Sequence, residues 1–329
     1  MKKNTYTIPL ALVFSLFFLW AISSNLLPTM IRQLMKTCEL NTFEASFTET
    51  AYWLAYFIFP IPIAMFMKRY SYKAGIIFGL LLAAVGGLLF FPAAMLKEYW
   101  AYLCIFFIIA TGMCFLETAA NPYVTIIGPI DSAARRISIM GICNKVAGII
   151  SPLIFAALIL KANDSELFAL IESGALDEAT KNAMLNELIQ RVIIPYSILG
   201  IILLLTGIGI RYSVLPEINT DEQNATDEQD NKHTGKKSIL DFPYLILGAL
   251  AIFFHVGTQV IAIDTIINYA NSMGMDLLEA KVFPSYTLGC TMIGYILGII
   301  LIPKYISQKN ALIGCTLLGL ALSFGVVWA

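Results

Sequence analysis

Apolar residues run along this chain in long blocks, and the polar residues between them fall into short clusters. Marking every Asp, Glu, Lys and Arg leaves seven uncharged stretches, at 4–31, 50–67, 74–96, 192–210, 242–263, 282–303 and 310–329. Two more, 99–130 and 137–160, hold one charge each, Glu117 and Lys145. About 20 apolar residues carry a helix across the hydrocarbon core of a bilayer, with a lower limit near 17. The pattern therefore predicts an all-α membrane protein with about nine spans. Ser23, Ser24 and Asn25 interrupt the first stretch, which is too long for a signal peptide and reads as the first span.

The polar segments set the organisation. Segment 212–241 is dense in Asn, Asp, Gln and Glu and reads as a flexible cytoplasmic linker. It separates a six-helix bundle at 1–211 from a three-span bundle at 242–329, which reads as an incomplete second half. The chain stops at Trp328-Ala329 without a polar flank. A helix ending inside the bilayer leaves carbonyls unsatisfied, so the expectation is a fragment or a shortened frame. Segment 161–191 is acidic and periodic at Leu167, Leu170, Ile171, Leu185, Leu188 and Ile189, which predicts short surface helices.

Composition agrees with the pattern. Of 329 residues, 58% are hydrophobic and 13% charged, with a mean hydropathy of +0.77; soluble domains carry about 25% charged residues. Six cysteines stand singly at 38, 104, 114, 143, 290 and 315, which indicates neither a disulfide framework nor a metal site. Without a phosphate loop, nucleophile constellation or metal-ligand set, the sequence points to no enzyme and no cofactor. No basic cluster suggests nucleic acid, so the expected surroundings are the lipid bilayer.

Lys and Arg orient the spans. With the N-terminus inside, the inner segments hold Lys2, Lys3, Lys68, Arg69, Lys73, Arg135, Arg136, Arg211, Lys232, Lys236, Lys237, Lys304 and Lys309, thirteen residues. The outer segments hold seven, Arg32, Lys36, Lys97, Lys161, Lys181, Arg191 and Lys281. The positive-inside rule then predicts a cytoplasmic N-terminus.

Candidate chemistry centres on Glu117, the only charge between Glu98 and Asp131. A carboxylate at that depth costs about 2.5–3.5 kcal/mol on insertion scales and ordinarily faces a cavity or a partner. Asn121, one turn on, shares its face. It serves either a ligand hydroxyl or the backbone beside Pro122, whose ring nitrogen carries no donor. In the seventh span His255 and Gln259 are one turn apart, and Asp264 lies near the outer end. His255 reads as a packed hydrogen-bonding residue or a proton relay, and Asp264 as an interface charge. Tyr52, Trp53, Tyr56, Tyr286 and Tyr295 are either stacking surfaces for a ligand ring or packing residues.

The string Phe115-Leu116-Glu117-Thr118-Ala119-Ala120-Asn121-Pro122-Tyr123-Val124-Thr125 closely resembles the fourth-helix signature of the fucose/glucose/galactose branch of the major facilitator superfamily. Phe17-Phe18-Leu19-Trp20, Phe59-Pro60-Ile61-Pro62 and the basic loop Met67-Lys68-Arg69-Tyr70-Ser71-Tyr72-Lys73-Ala74-Gly75 extend the likeness, which covers most of the first half and weakens through spans seven and eight. The resemblance implies the major facilitator fold and a bacterial inner-membrane carrier of a monosaccharide. It further implies alternating access, with a proton or other cation as cotransported partner. It gives Glu117 a part in sugar recognition and proton exchange, and makes Asn25, Asn144 and Gln259 candidate sugar contacts.

Two departures from that family stand out. Aligning Phe17 to Asn25 puts Leu27 and Pro28 where the family has an Asn-Asp pair, which removes the first-span carboxylate; Asp264 is the best substitute. In the fifth span Gly141 takes the place of a sugar-facing glutamine, and Lys145 follows four residues later on the same face. Lys145 has three readings: an ion pair with Glu117, a contact for an anionic substrate such as a sugar acid, or snorkelling towards the cytoplasm. The last requires about 13 Å along the helix from Arg136. The alternatives for the whole chain are an uncoupled facilitator, a carrier of an acidic sugar, or a truncated non-transporting membrane protein.

Overall fold

Helices lie over all nine apolar stretches, as they must if the backbone is to satisfy its own N–H and C=O groups in hydrocarbon. The computed structural model describes residues 7–25, 40–96, 98–127, 129, 132–159, 178–217, 242–264, 270, 273–274, 283–302 and 304–328. Its helices are α1 (Thr7–Asn25), α2 (Thr42–Ile58), α3 (Pro60–Arg69), α4 (Tyr72–Leu88), α5 (Phe90–Leu96) and α6 (Tyr99–Ile126). They continue with α7 (Ala133–Ile159), α8 (Glu178–Tyr212), α9 (Pro243–Asp264), α10 (Phe283–Leu301) and α11 (Gln308–Trp328). No strand occurs among the described residues.

By length and hydropathy, Tyr72–Leu96, Tyr99–Ile126 and Ile193–Tyr212 each qualify as a span, and Phe47–Ile58 with Pro60–Arg69 qualify together across a 43° bend. The apolar described parts of α1, α9 and α10 are shorter, at Ile8–Ser24, Pro243–Gln259 and Tyr286–Leu301. The bend has a local cause. Pro60 and Pro62 carry no N–H, so two links of the helical ladder are missing. Phe59 bridges the break, donating its N–H to Ala55 (3.0 Å) and accepting from Ile63 (2.9 Å). At its other end α2 starts from a capping box. Glu44 N–H donates to Asn41 Oδ1 (2.8 Å) and Asn41 N–H to Glu44 Oε2 (2.9 Å).

The periodic residues Leu185, Leu188 and Ile189 belong to the early turns of α8, which runs unbroken through Pro195 to Tyr212. They form the extension of a span and not a separate surface helix; 160–177 lie outside the described residues. So do 218–241 of the expected linker.

Two compact units divide the chain, Met1–Asn219 and Thr220–Ala329. In the first, α4 and α6 form the centre: α4 packs on α6 and α8, α2 on α6, and α1 on α7. The core they enclose includes Leu16, Ile76, Leu80, Met113, Leu116 and Tyr123. Large apolar side chains also cover the outside, with Phe57 85% and Ile61 75% exposed, as expected of a surface solvated by lipid. In the second unit α9 packs on α10.

The α4–α6 contact is backbone-close. A Cβ on Gly112 would stand 2.5 Å from Ala83 N and 2.6 Å from Gly79 O, and one on Gly79 would stand 2.7 Å from Gly112 O. Backbone atoms at such distances cannot swing aside as a flexible side chain would. Gly112→Ala is expected to destabilise the unit by about 1–3 kcal/mol, read as a lower melting temperature in detergent. Gly209→Ala, where nothing lies within 4 Å, should leave melting unchanged or slightly higher. Equal melting of both variants would refute the close packing.

Candidate functional site

α1 and α2 meet through two rungs of polar aromatic contact. Trp20 and Ser24 are one turn apart on α1, and Tyr52 and Tyr56 one turn apart on α2. Trp20 Nε1–H donates to Tyr56 Oη (3.0 Å), and Tyr52 O–H donates to Ser24 Oγ (3.2 Å). The rings of Tyr52 and Tyr56 lie 5.6 Å apart at 34°, and Trp53 packs 5.6 Å from each of them. Tyr52 is buried at 3% exposure, while Tyr56 and Trp20 are half-buried.

Glu117 joins this group from α6. It is close enough to act electrostatically on both Tyr52 and Tyr56. Its carboxylate is half-buried, and among the described residues it has neither an ion pair nor a hydrogen-bond donor. Most of α6 around it is sealed: Met113, Cys114, Phe115, Leu116, Ala119 and Ala120 are buried. Asn121, one turn on, is exposed, so the Glu117 face opens from the core. An unsatisfied carboxylate at mid-helix needs a partner, and a proton or a ligand hydroxyl supplies one.

α7 carries Asn144 and Lys145, both half-buried. Among the described residues no ion pair joins Lys145 to Glu117. Ser151 Oγ–H, further along α7, donates to Ile22 O (3.2 Å) and ties α7 to α1. Asn25 is the last residue of α1, and its side chain, like the whole of Leu27 and Pro28, lies outside the described residues. In the second unit His255 is exposed and Gln259 half-buried on α9, which ends at Asp264. Tyr286 is exposed and Tyr295 half-buried on α10.

The C-terminal end of α6 and the residues beyond it and beyond α8 are fastened by groups that the sequence marks only as basic or aromatic. Arg136 is 6% exposed and spreads its guanidinium over the α6–α7 turn. Its Nε–H donates to Val124 O (2.8 Å), Nη2–H to Thr125 O (2.8 Å), and Nη1–H to Pro129 O (2.9 Å) and Ser132 Oγ (2.6 Å). The residues after α8 are held as well. Lys73 Nζ donates to Ser213 O (3.2 Å), Tyr123 O–H donates to Pro216 O (2.7 Å), and Leu215 is buried between them in sequence. The α6 that bears Glu117 is thus pinned at its C-terminal end to both α7 and the residues that follow α8.

Among the described residues no cluster of His, Cys, Asp and Glu is arranged to hold a metal ion. The described cysteines, Cys104, Cys114, Cys143, Cys290 and Cys315, are free thiols.

Comparison with known proteins gives concordant matches. Residues 10–329 match the family model described as Major Facilitator Superfamily. The L-fucose-proton symporter of Escherichia coli (strain K12) is 34% identical over 311 residues, 94% of this chain and 70% of that protein. A glucose/galactose transporter of Brucella abortus biovar 1 (strain 9-941) is 30% identical over 316 residues, 94% of this chain and 70% of the relative. Among solved structures, a single-residue variant of the E. coli fucose:proton symporter superposes with a TM-score of 0.73 at 32% identity. That match covers 91% of this chain and 72% of the solved one.

Proposed function

Because this chain belongs to the Major Facilitator Superfamily, we propose that it carries a monosaccharide across the bacterial inner membrane together with a proton, by alternating access. The carrying observation is Glu117, a carboxylate without a hydrogen-bond or ion-pair partner among the described residues, half-buried in an apolar helix beside the Trp20–Tyr56 and Tyr52–Ser24 rungs. The names of the relatives, a fucose-proton symporter and glucose/galactose transporters, support the sugar and the proton.

In this reading Glu117 has two roles that exclude each other in time. Protonated, it is a neutral donor and acceptor that binds a sugar hydroxyl at little electrostatic cost in a water-poor site. Deprotonated, it is a charge that weakens sugar binding and opposes passage of the sugar-loaded site without its proton. The aromatic faces of Tyr52, Tyr56 and Trp20 offer flat apolar surface to the C–H side of a pyranose, and their polar edges keep hydrogen-bond partners. Asn121 lies one turn beyond the carboxylate and binds a further hydroxyl. Asn25, Asn144, His255 and Gln259 are proposed as additional contacts, and Asp264 as the second carboxylate in place of the one that Pro28 removes. The N-terminus is cytoplasmic, following the distribution of Lys and Arg.

The test is uptake of labelled fucose, glucose and galactose into proteoliposomes under an inward gradient of one pH unit. One pH unit is about 1.4 kcal/mol, so tight one-to-one coupling accumulates sugar about tenfold. Uptake that stops at equal concentrations identifies an uncoupled facilitator. No protein-dependent uptake of any of the three, nor of a sugar acid, overturns the assignment.

A further inference from the structure

We propose that Lys145 binds the carboxylate of the substrate, so that the carried monosaccharide is a sugar acid; this rests on the sugar-carrier reading above and narrows its substrate class. Lys145 is residue 13 of the 27 in α7, far from both ends. The packed stripe of that helix is Arg136, Met140, Ala147 and Ser151, all buried. At 100° per residue, Lys145 stands roughly 140° around the helix from that stripe. Gly141 and Gly148, one turn before and after it, share its face and contribute no side chains there. The two glycines clear one flank of Lys145, Ile142 and Ile149 stand on the other, and Lys145 is half-buried.

Among the described residues no carboxylate pairs with this ammonium. Within the six apolar stretches of the first unit the only carboxylate is Glu117, and among the described residues Glu117 and Lys145 form no ion pair. A cation held at that depth requires an anion, and in hydrocarbon it pairs or lines a polar path. The inner boundary is distant, since Arg136 lies nine residues away, about 13 Å along the axis. An anion that arrives with the substrate meets the requirement, and a carboxylate suits a single ammonium because that contact needs one charge and no fork geometry.

Lys145 and Glu117 then divide the work. The substrate anion enters opposite Lys145 while a proton on Glu117 removes the charge that would repel it. One anion and one proton cross together, so each turnover moves no net charge.

The experiment uses the full chain in proteoliposomes, with labelled glucuronate and labelled galactose as probes. The expected result is saturable, proton-driven glucuronate uptake that unlabelled galactose inhibits only weakly and that a potassium-valinomycin potential does not change. Lys145→Met should lower glucuronate uptake tenfold or more and leave galactose uptake within threefold, while Lys145→Arg retains part of the glucuronate activity. Galactose uptake that glucuronate neither competes with nor accompanies overturns the inference while the sugar-carrier reading stands. Failure of both probes overturns the inference, and failure of fucose and glucose as well overturns the sugar-carrier reading. Competition between the probes on the unsubstituted protein separates these outcomes even if Lys145→Met does not fold. Equal loss of both probes in a folded Lys145→Met would make the residue structural and also refute the proposal.

Discussion

Glu117→Gln is expected to abolish proton-driven accumulation while preserving exchange of labelled for unlabelled substrate. Glutamine has nearly the shape of a protonated glutamate and keeps a donor and an acceptor, but it cannot release a proton. The substituted site should still bind and reorient, because in the proposed cycle the loaded form is the neutral one. A gradient of one pH unit, which drives about tenfold accumulation in a coupled carrier, should then yield equal concentrations inside and out. Counterflow should stay within a few-fold of the parent. Stability should not fall, since the substitution removes a charge costing about 2.5–3.5 kcal/mol at that depth. If Glu117→Gln accumulates substrate and responds to pH like the parent, Glu117 is not the coupling group, and Asp264 becomes the residue to test.

The helices were legible because lipid imposes one requirement on all of them. A gap between charges long enough to cross the bilayer must be helical, and a helix lies over each such gap. Glu117 was legible for the same reason, as an exception inside an otherwise uncharged run. What the gaps between charges do not contain is which faces meet. Tyr52 and Tyr56 could be read only as aromatics at helical spacing, and Trp20 only as part of a motif. The bond between Trp20 and Tyr56 spans 36 positions of sequence and arises from the crossing of α1 and α2. The bend at Phe59 was equally hidden, although Pro60 and Pro62, which cause it, stood in plain view.

Lys145 illustrates the limit more sharply. Its distance along α7 from Arg136 follows from helical rise, and its face from helical rotation. Neither says whether the ammonium reaches Glu117 on α6, because that depends on the rotation of two helices against each other. With no ion pair between them among the described residues, the two mid-span charges are separate features of the site. That separation is what the proposal of a distinct part in transport for each residue builds on.

Arg136 is marked by the sequence only as one of thirteen inner-side cations, yet its removal is expected to cost more stability than any surface charge. Its guanidinium serves the carbonyls of Val124, Thr125 and Pro129 and the hydroxyl of Ser132 from a site 6% exposed. Those carbonyls lie at and beyond the end of α6, where the helix has no further N–H groups to offer. Pro129 O keeps the N–H and Oγ–H of Ser132 as donors, so the carbonyls of Val124 and Thr125 lose most; at about 1–3 kcal/mol for each buried acceptor left unsatisfied, Arg136→Ala should destabilise the protein by at least about 2 kcal/mol. The loss should appear as a large fall in melting temperature in detergent and a reduced yield of monodisperse protein. Lysine keeps the charge but not the planar fork, so Arg136→Lys should recover less than half of the lost stability. Arg135→Ala supplies the comparison, since Arg135 is exposed on the neighbouring face and should melt with the parent. Were Arg136→Ala to melt with the parent too, the α6–α7 turn would not depend on these bonds. The C-terminal end of the Glu117 helix would then be held by its core packing and by the bond from Tyr123 to Pro216.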